Sequence, residues 1–247
     1  MRIAALSDIH GNIGALDAVL ADISCRNVDQ IVNLGDICSG GLFPKQTLDK
    51  LIPLALKTIR GNHDRQIFDR PREDMTVSDR YAADQLTEVQ IEWLTGLPST
   101  LRLEEDVLMV HGTPDSDTSY FLETVDSSGL RMANLTEASS RAGDLDAQII
   151  LCGHTHIQRI LSLADGRIVV NPGSVGQPAY SVGGARPHVS ESGSPHARYA
   201  IIERKNGDWN VEFHAVTYDW NQAATDAASH GREDLAFILR TGRAIGI

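Results

Sequence analysis

The stretch Gly61-Asn62-His63-Asp64 follows a short, mostly apolar run that extends from Leu54 to Ile59. A run of that length ending near a glycine is typical of a buried strand that stops in a turn. An asparagine beside a histidine is unfavourable in a hydrophobic core, because a buried polar group needs a hydrogen-bond partner. We therefore interpret this stretch as a strand end that carries part of a functional site.

Four other short segments have the same character, since each places a carboxylate or an imidazole directly after an apolar run. They are Asp8-Ile9-His10, Gly35-Asp36, His111-Gly112 and Gly153-His154-Thr155-His156. Strand–helix–strand spacing near the start of the chain predicts parallel βαβ units, whose carboxyl strand ends gather polar side chains at one edge. The side chains predicted to meet there are Asp8, His10, Asp36, Asn62, His111, His154 and His156.

This set of side chains has the chemistry of a metal site. Imidazoles with carboxylate and amide oxygens, and no thiolate, favour divalent ions such as Mn, Fe, Zn or Ni, of which we favour Mn. Seven ligands are too many for one ion and suit two, provided that one carboxylate bridges them; Asp36 is the candidate bridge. Two such ions can hold a bridging hydroxide that attacks phosphorus. His63 is expected to point away from its neighbour Asn62 and is the predicted general acid.

The bulk composition limits the class of protein. The 247 residues are 42% hydrophobic and 22% charged, which predicts one globular domain over residues 1–247. A formal net charge of −11 opposes non-specific binding to nucleic acid or an anionic membrane. No apolar run is long enough to predict a transmembrane helix. Three cysteines without paired spacing favour a reducing compartment, so we predict a cytoplasmic protein. The oligomeric state stays open.

The remaining pattern predicts two β-sheets that face each other, with helices outside. Residues 65–79 are charged and irregular and are predicted to form a surface loop, whereas residues 130–142 are predicted to be helical. Residues 176–197 are rich in glycine, serine and proline, which predicts a long irregular loop or lid. Hairpins are predicted over residues 101–110, 160–170 and 199–213.

In their order along the chain, the five polar segments resemble the motifs of the calcineurin-like metallophosphoesterase superfamily. The run from Asn171 to Pro178, Asn-Pro-Gly-Ser-Val-Gly-Gln-Pro, is similar to the tail motif of its small bacterial and archaeal branch, which includes YfcE-like phosphodiesterases. This resemblance implies a four-layer α/β/β/α sandwich with a two-metal site. It places Asp8, His10, Asp36 and His156 on one metal, Asp36, Asn62, His111 and His154 on the other, and His63 as general acid.

The chain departs from one branch of that superfamily. In the protein Ser/Thr phosphatases, the second motif reads Gly-Asp-x-x-Asp-Arg-Gly, with an aspartate that orients the general acid and an arginine that grips phosphate. Here residues 35–41 read Gly-Asp-Ile-Cys-Ser-Gly-Gly, so both are missing. Protein phosphatase activity is therefore disfavoured.

The leading prediction is a phosphoesterase that hydrolyses a phosphodiester or nucleotide-type small molecule, with phosphodiesters favoured. The alternatives are a phosphomonoesterase or protein Ser/Thr phosphatase, and a non-catalytic metal-binding scaffold for protein interactions. His63 separates catalysis from the scaffold, because a scaffold has no need of a general acid. The histidines outside the motifs are predicted to be exposed or to lie at edges; they are His188, His196, His214 and His230.

Overall fold

Residues of the first strand, Arg2–Leu6 (β1), point alternately into two different cores, as expected for a strand buried on both faces. Ile3 and Ala5 pack against a second sheet, whereas Ala4 and Leu6 pack against helices. The computed structural model describes residues 1–246. The alternation along β1 already indicates a layered arrangement with a sheet in the interior.

The first sheet has the order β14-β13-β1-β2-β3. Strands β1, β2 and β3 are parallel, and β13 joins β1 in the antiparallel direction, with Ile3 opposite Ile202. The other strands of this sheet are Gln30–Asn33 (β2), Lys57–Thr58 (β3), Ala197–Lys205 (β13) and Asp208–Val216 (β14).

The second sheet has the order β4-β5-β8-β10-β9, in which β5, β8 and β10 are parallel. Its strands are Thr100–Leu103 (β4), Val107–Val110 (β5), Ile149–Leu151 (β8), Gln158–Ser162 (β9) and Ile168–Pro172 (β10). Two separate hairpins complete the β structure. They are formed by Glu123–Asp126 (β6) with Gly129–Met132 (β7), and by Ala179–Val182 (β11) with His188–Glu191 (β12).

Helices cover the outer faces of the two sheets. Those in the described residues are Ile13–Ser24 (α1), Pro44–Leu51 (α2), Asn62–Asp69 (α3), Val77–Gln85 (α4), Glu88–Thr95 (α5), Leu135–Ala142 (α6), Trp220–Ser229 (α7) and Glu233–Thr241 (α8). One core lies between the sheets, a second between the first sheet and helices that include α1 and α8, and a third beneath α6. The layers therefore run α/β/β/α, as predicted.

Three predicted segments differ from the structure. Residues 65–79 are not a surface loop, because α3 and the start of α4 occupy most of them. Helix α6 begins only at Leu135, since residues 129–132 form β7 and the Asn134 side chain accepts a hydrogen bond from the Glu137 amide at the true helix start. Residues 176–197 contain the β11–β12 hairpin, whose polar composition concealed its strands.

Among residues 1–246, no helix combines the length and apolar composition needed to cross a bilayer. Cys38 and Cys152 are buried free thiols, and Cys25 is an exposed one.

Candidate metal centre

The predicted ligands leave their strands in an uncommon backbone conformation. Asp8, His10, Asp36, His154 and His156 have φ angles of 56°, 50°, 53°, 69° and 62°, all in the left-handed region. Residues with a Cβ rarely adopt this region, and each costs of order 1–3 kcal/mol there. Five of the seven predicted ligands share it, so the backbone turns sharply where each strand ends and directs these side chains toward one place.

Two glycines allow the strand ends to approach each other closely. A Cβ atom on Gly61 would lie 2.2 Å from the Asp36 Oδ1 atom, and one on Gly153 would lie 2.0 Å from the Ser7 Oγ atom. A Cβ at either position would force the neighbouring residue to shift, and at Gly61 this includes the Asp36 backbone nitrogen, 2.6 Å away. The glycines of the Gly-Asn-His-Asp and Gly-His-Thr-His segments are therefore required by the packing of neighbouring loops rather than by flexibility.

The first group of candidate ligands consists of Asp8, His10 and His156. The His10 Nε2 and His156 Nε2 atoms lie 3.1 Å apart, and His156 Nε2 lies 3.3 Å from Asp8 Oδ1. The Nδ1 atom of His10 contacts the Ser39 carbonyl at 2.5 Å, and that of His156 contacts the Gln177 carbonyl at 2.6 Å. Because each Nδ1–H must donate to a carbonyl, both Nε2 lone pairs face each other.

The second group consists of Asp36, His111 and His154. The His111 Nε2 atom lies 3.1 Å from Asp36 Oδ2, while its Nδ1–H donates to the Leu34 carbonyl at 2.7 Å. In His154 the roles are reversed, since Nε2 contacts the Thr118 carbonyl at 3.2 Å and Nδ1 is left as the acceptor. Backbone carbonyls thus fix the tautomer of these rings, as hydrogen-bond partners commonly do for metal-bound histidines.

Asn62 completes the second group. One end of its side-chain amide lies 3.2 Å from His111 Nε2 and 3.0 Å from His154 Nδ1. Placing the NH₂ there would satisfy these nitrogens by hydrogen bonds, whereas placing the oxygen there gathers three acceptors around one point. The second orientation is unfavourable without a cation and becomes favourable when a cation is bound between the three atoms.

The acceptors of both groups fit divalent cations. The Asp8 Oδ1 and Asp36 Oδ2 atoms are buried and accept no hydrogen bond, although imidazole nitrogens lie close to each. Buried carboxylate oxygens without a partner are costly, and a bound cation removes that cost. Each group also takes side chains from both sheets, because Asp8 and Asp36 follow β1 and β2 while His111 and His154 follow β5 and β8.

The protonation states of three predicted ligands suit metal binding. Burial alone would raise the pKa of Asp8, but His156 and His111 outweigh it and lower the value to about 2. Burial and the neighbouring histidines lower the pKa of His10 to about 4 and that of His154 to about 3, so both rings are neutral at pH 7. An ionised carboxylate beside neutral imidazoles is the state in which these groups bind metal. His111 differs, because burial opposes its protonation but Asp36 and Asp8 outweigh burial and raise its pKa to about 10, so this ring must lose a proton when it binds a metal.

His63 lies beside the ligands but is held differently. Its Nδ1 atom is 2.7 Å from Asp79 Oδ1, and Asp79 is fully buried. The same carboxylate accepts hydrogen bonds from Ser39 Oγ at 2.6 Å and Thr76 Oγ1 at 2.7 Å. Burial opposes protonation of His63, but Asp36 and Asp79 outweigh it and raise its pKa to about 9. Nε2 is left free of this contact, and the ring is partly exposed to a cavity.

Sequence reasoning missed Asp79. It lies sixteen residues after His63, in a segment predicted to be a surface loop. The available signal was Thr76-Val77-Ser78-Asp79, a threonine followed three positions later by a carboxylate, which is typical of a helix start. Thr76 is indeed the N-cap of α4 and accepts a hydrogen bond from the Asp79 amide.

Other polar residues support the loops. Asp64 accepts hydrogen bonds from the backbone amides of Asp36, Ile37 and Gly61 at 2.8 to 2.9 Å, so it fixes the turn at the start of α3. Asn171 Nδ2 donates to the Gly153 carbonyl at 2.7 Å. Ser174 Oγ likewise donates to the Asp8 carbonyl at 2.8 Å. These contacts stabilise the loops that carry the candidate ligands.

Two tyrosines stand beside the imidazoles. The ring centroid of Tyr120 lies 5.0 Å from that of His154, and the centroid of Tyr180 lies 4.8 Å from that of His156. Tyr180 donates a hydrogen bond to the Tyr120 hydroxyl, which lies 2.8 Å from His188 Nε2. His188 was predicted to be exposed or to lie at an edge; it begins β12, a strand of a two-stranded sheet, but its side chain is buried.

The sequence profile of the calcineurin-like phosphoesterase superfamily domain matches residues 1–191. The chain belongs to this superfamily. A metallophosphoesterase of Sphaerobacter thermophilus, whose crystal structure is known, is 27% identical, with a TM-score of 0.76 over 98% of this chain and 100% of that one. A hypothetical protein of Pyrococcus horikoshii OT3 shares the fold at 20% identity, with a TM-score of 0.76 over 99% of each chain. An uncharacterized protein of Methanocaldococcus jannaschii is 29% identical over 250 residues, 90% of this chain and 89% of that protein.

Membership in the calcineurin-like phosphoesterase superfamily confirms the resemblance in the motifs and the predicted four-layer fold. It also implies a phosphoester hydrolase that depends on divalent metal, and the two groups of candidate ligands agree with that dependence. The matched residues end with the last residue of β12, so β13, β14, α7 and α8 lie outside the match.

Proposed function

We propose that the chain is a two-metal phosphodiesterase that acts on a small phosphodiester or nucleotide-type molecule. On this proposal Asp8, His10 and His156 hold one ion, Asn62, His111 and His154 hold the other, and Asp36 bridges them. When bound, the ions supply Lewis-acid stabilisation of charge at phosphorus and an activated water. The contacts that support the assignment are the facing Nε2 lone pairs and the orphaned carboxylate oxygens.

His63 is the proposed general acid. Burial opposes protonation of the ring, but Asp36 and Asp79 outweigh burial, and the resulting pKa of about 9 keeps the ring protonated at neutral pH. The ring is also partly open to the cavity in which a substrate would lie. Proton donation to the departing ester oxygen from Nε2 fits the contact of Nδ1 with Asp79. Asp79 is then a positioning residue, because it orients the ring and balances its charge without touching substrate.

One observation favours a diester over a monoester. Among the described residues that line the cavity, Arg232 carries the one guanidinium, and it is already engaged. It donates to both carboxylate oxygens of Asp234 at 2.8 and 2.7 Å and to Ser78 Oγ at 2.8 Å. A phosphomonoester dianion calls for an unpaired, forked cation of this kind. A diester carries one negative charge fewer, which suits a site whose arginine is neutralised.

The alternatives are weighed by the same contacts. Asp79 supplies the carboxylate that the second motif lacks, so the lack of an aspartate in that motif no longer argues against phosphomonoesterase activity. The lack of the motif's arginine still argues against that activity. A scaffold would gain nothing from a buried carboxylate that orients His63, and no contact of the described residues favours that role.

The metal and the compartment are proposals as well. We propose manganese, because the mixture of imidazole, carboxylate and amide groups without thiolate suits it, and a cytoplasmic location, because the thiols of Cys38 and Cys152 are free. The substrate is proposed to be a small phosphorylated molecule rather than nucleic acid bound non-specifically, in keeping with the net charge of −11.

The proposal is tested by turnover of bis-p-nitrophenyl phosphate beside p-nitrophenyl phosphate. The protein is stripped of metal and assayed with Mn, Ni, Zn or Mg added back, together with Asp36→Asn and, as a matched control, Asp208→Asn on the surface. Metal-dependent hydrolysis of the diester that Asp36→Asn abolishes and Asp208→Asn retains is expected. Faster turnover of the monoester would move the assignment to a phosphomonoesterase, and no turnover with two metals bound would favour the scaffold.

A further inference from the structure

A cavity of about 550 Å³ opens beside the candidate metal centre. Its lining includes His10, Asp36, His154 and His156, so a molecule that fills it lies against the candidate ligands. Ligand pockets are commonly of this size, roughly 300–1,000 Å³. The cavity is therefore large enough for an organic group attached to a reacting phosphate.

Part of the cavity wall is formed by residues outside the range 1–191 that matches the superfamily. Ile238 of α8 and Ile245 after it both line the cavity, beside Val182 of β11. Ile245 is half exposed, as a side chain at a cavity mouth would be. The inner part of the site thus lies within the matched residues, while this apolar wall is contributed mainly from outside them.

The segment after α8 is held against the β11–β12 hairpin. Ser181 Oγ donates to the Ile245 carbonyl at 2.8 Å, and the Ala244 amide donates to Glu191 Oε1 at 2.8 Å. A third bond runs from the Gly193 amide to the Gly242 carbonyl at 3.0 Å. These contacts keep Ile245 in place, so the apolar wall is a formed surface.

The other side chains of the cavity are uncharged or neutralised. Ser39 and Thr76 carry hydroxyls that already donate to Asp79, and Arg232 is paired with Asp234. A chain of phosphates would require several unpaired cations, which the described lining outside the imidazoles lacks. The lining instead matches a group that combines apolar faces with a few hydroxyls.

We propose that the segment after α8, with β11, forms a subsite for the ester group of the substrate, and that this group is uncharged, partly apolar and of nucleoside size. Ile245 and Val182 are its specificity-determining residues. The proposal rests on the proposed phosphodiesterase function and adds the chemical class of the substrate. Polyphosphate-bearing molecules and anionic esters are poor substrates on this basis.

Three diesters with the same leaving group test the subsite. They are the p-nitrophenyl diesters of phosphate whose second ester group is methyl, thymidine-5′-yl or 2-carboxyethyl. Since p-nitrophenolate leaves from each, differences in KM report the second ester group. The thymidine ester is expected to have a KM at least tenfold below those of the methyl and carboxyethyl esters.

Ile245→Asp places a charge on the proposed wall. The ratio of kcat/KM for the thymidine ester to that for the methyl ester is expected to fall about tenfold, the effect of losing most of one aliphatic contact. Val89→Asp is the matched control, because Val89 is 72% exposed on α5 and does not line the cavity. This control is expected to keep the ratio. Equal ratios in Ile245→Asp and Val89→Asp, or a preference for the carboxyethyl ester, would overturn the proposal.

Equilibrium binding separates the two proposals. Thymidine 5′-monophosphate and methyl phosphate are titrated into metal-loaded wild-type, Ile245→Asp and Val89→Asp protein by calorimetry. Tighter binding of the nucleotide that Ile245→Asp removes supports the subsite even if no ester is hydrolysed, in which case the phosphodiesterase function alone fails. Equal affinities for both ligands would refute the subsite proposal, and the proposed phosphodiesterase function would be unaffected.

Discussion

The Nδ1 atom of His63 lies 2.7 Å from the Oδ1 atom of Asp79, a fully buried carboxylate that also receives two hydroxyl hydrogen bonds. This contact fixes the orientation of the imidazole through Nδ1 and leaves the other ring nitrogen, Nε2, available. It also reaches His63 from a different helix, so the ring is constrained by α4 although its backbone belongs to α3.

His63→Ala removes the proposed general acid. The rate on a diester with an alkyl leaving group is expected to fall by about 10²–10⁴, because the departing alkoxide then lacks a proton donor. The loss on a p-nitrophenyl ester should be much smaller, since that oxygen leaves without protonation. Metal content measured by mass spectrometry should stay at the wild-type level. Near-unchanged turnover of the alkyl ester would contradict the assignment.

Asp79→Asn tests the positioning residue. The amide oxygen can still accept from His63, but the charge that favours the protonated ring is lost. We expect about a tenfold to hundredfold fall in kcat for the alkyl ester and a smaller one for the p-nitrophenyl ester. Asp84→Asn is the control on the same helix, at an exposed position. An equal fall on both esters would indicate a merely structural role.

Asp36→Asn is expected to reduce the binding of both metals, because the carboxylate is the proposed bridge between the two groups of ligands. Metal content per chain, measured after dialysis against a fixed Mn concentration, should fall from about two toward zero. Asp208→Asn should retain the wild-type content. Loss of one ion with full retention of the other would show that Asp36 does not bridge.

Backbone conformation at His154 gives a prediction about stability. With φ at 69°, metal-free His154→Gly should be more stable than metal-free His154→Ala by about 1 kcal/mol, because only the alanine keeps a Cβ in the left-handed region. In a chain of this length, that difference corresponds to a Tm about 2–4 °C higher for the glycine variant. Both variants lack the ring, so the comparison isolates the backbone. Equal Tm values would show that the turn relaxes when the ring is removed.

The sequence predicted which polar side chains come together better than it predicted the segments around them. Motifs such as Gly-Asn-His-Asp combine a tight turn with polar side chains, and their position after apolar runs is enough to place them at strand ends. The parallel strands β1, β2 and β3 of one sheet and β5 and β8 of the other then bring the eight predicted residues together.

Asp79 and the β11–β12 hairpin could not be found in this way. Nothing in the sequence distinguishes a buried aspartate at a helix start from an exposed one, since the difference depends on whether Ser39 and His63 pack over it. The hairpin has short, polar strands, and two of its side chains donate hydrogen bonds to the segment after α8 and to Tyr120. Both features are decided by contacts between distant parts of the chain, which local patterns do not record.

Each group of candidate ligands draws on both sheets, and this arrangement has a mechanical consequence. Asp8 and His156 are separated by about 150 residues along the chain, and a cation shared between them would close that loop as a covalent cross-link does. The loss of chain entropy in the unfolded state for a loop of this size is about 5 kcal/mol at most. On the proposed ligation, the metal ions therefore also cross-link the two sheets. Metal-free protein should exchange its amide hydrogens faster at the carboxyl ends of the parallel strands in both sheets.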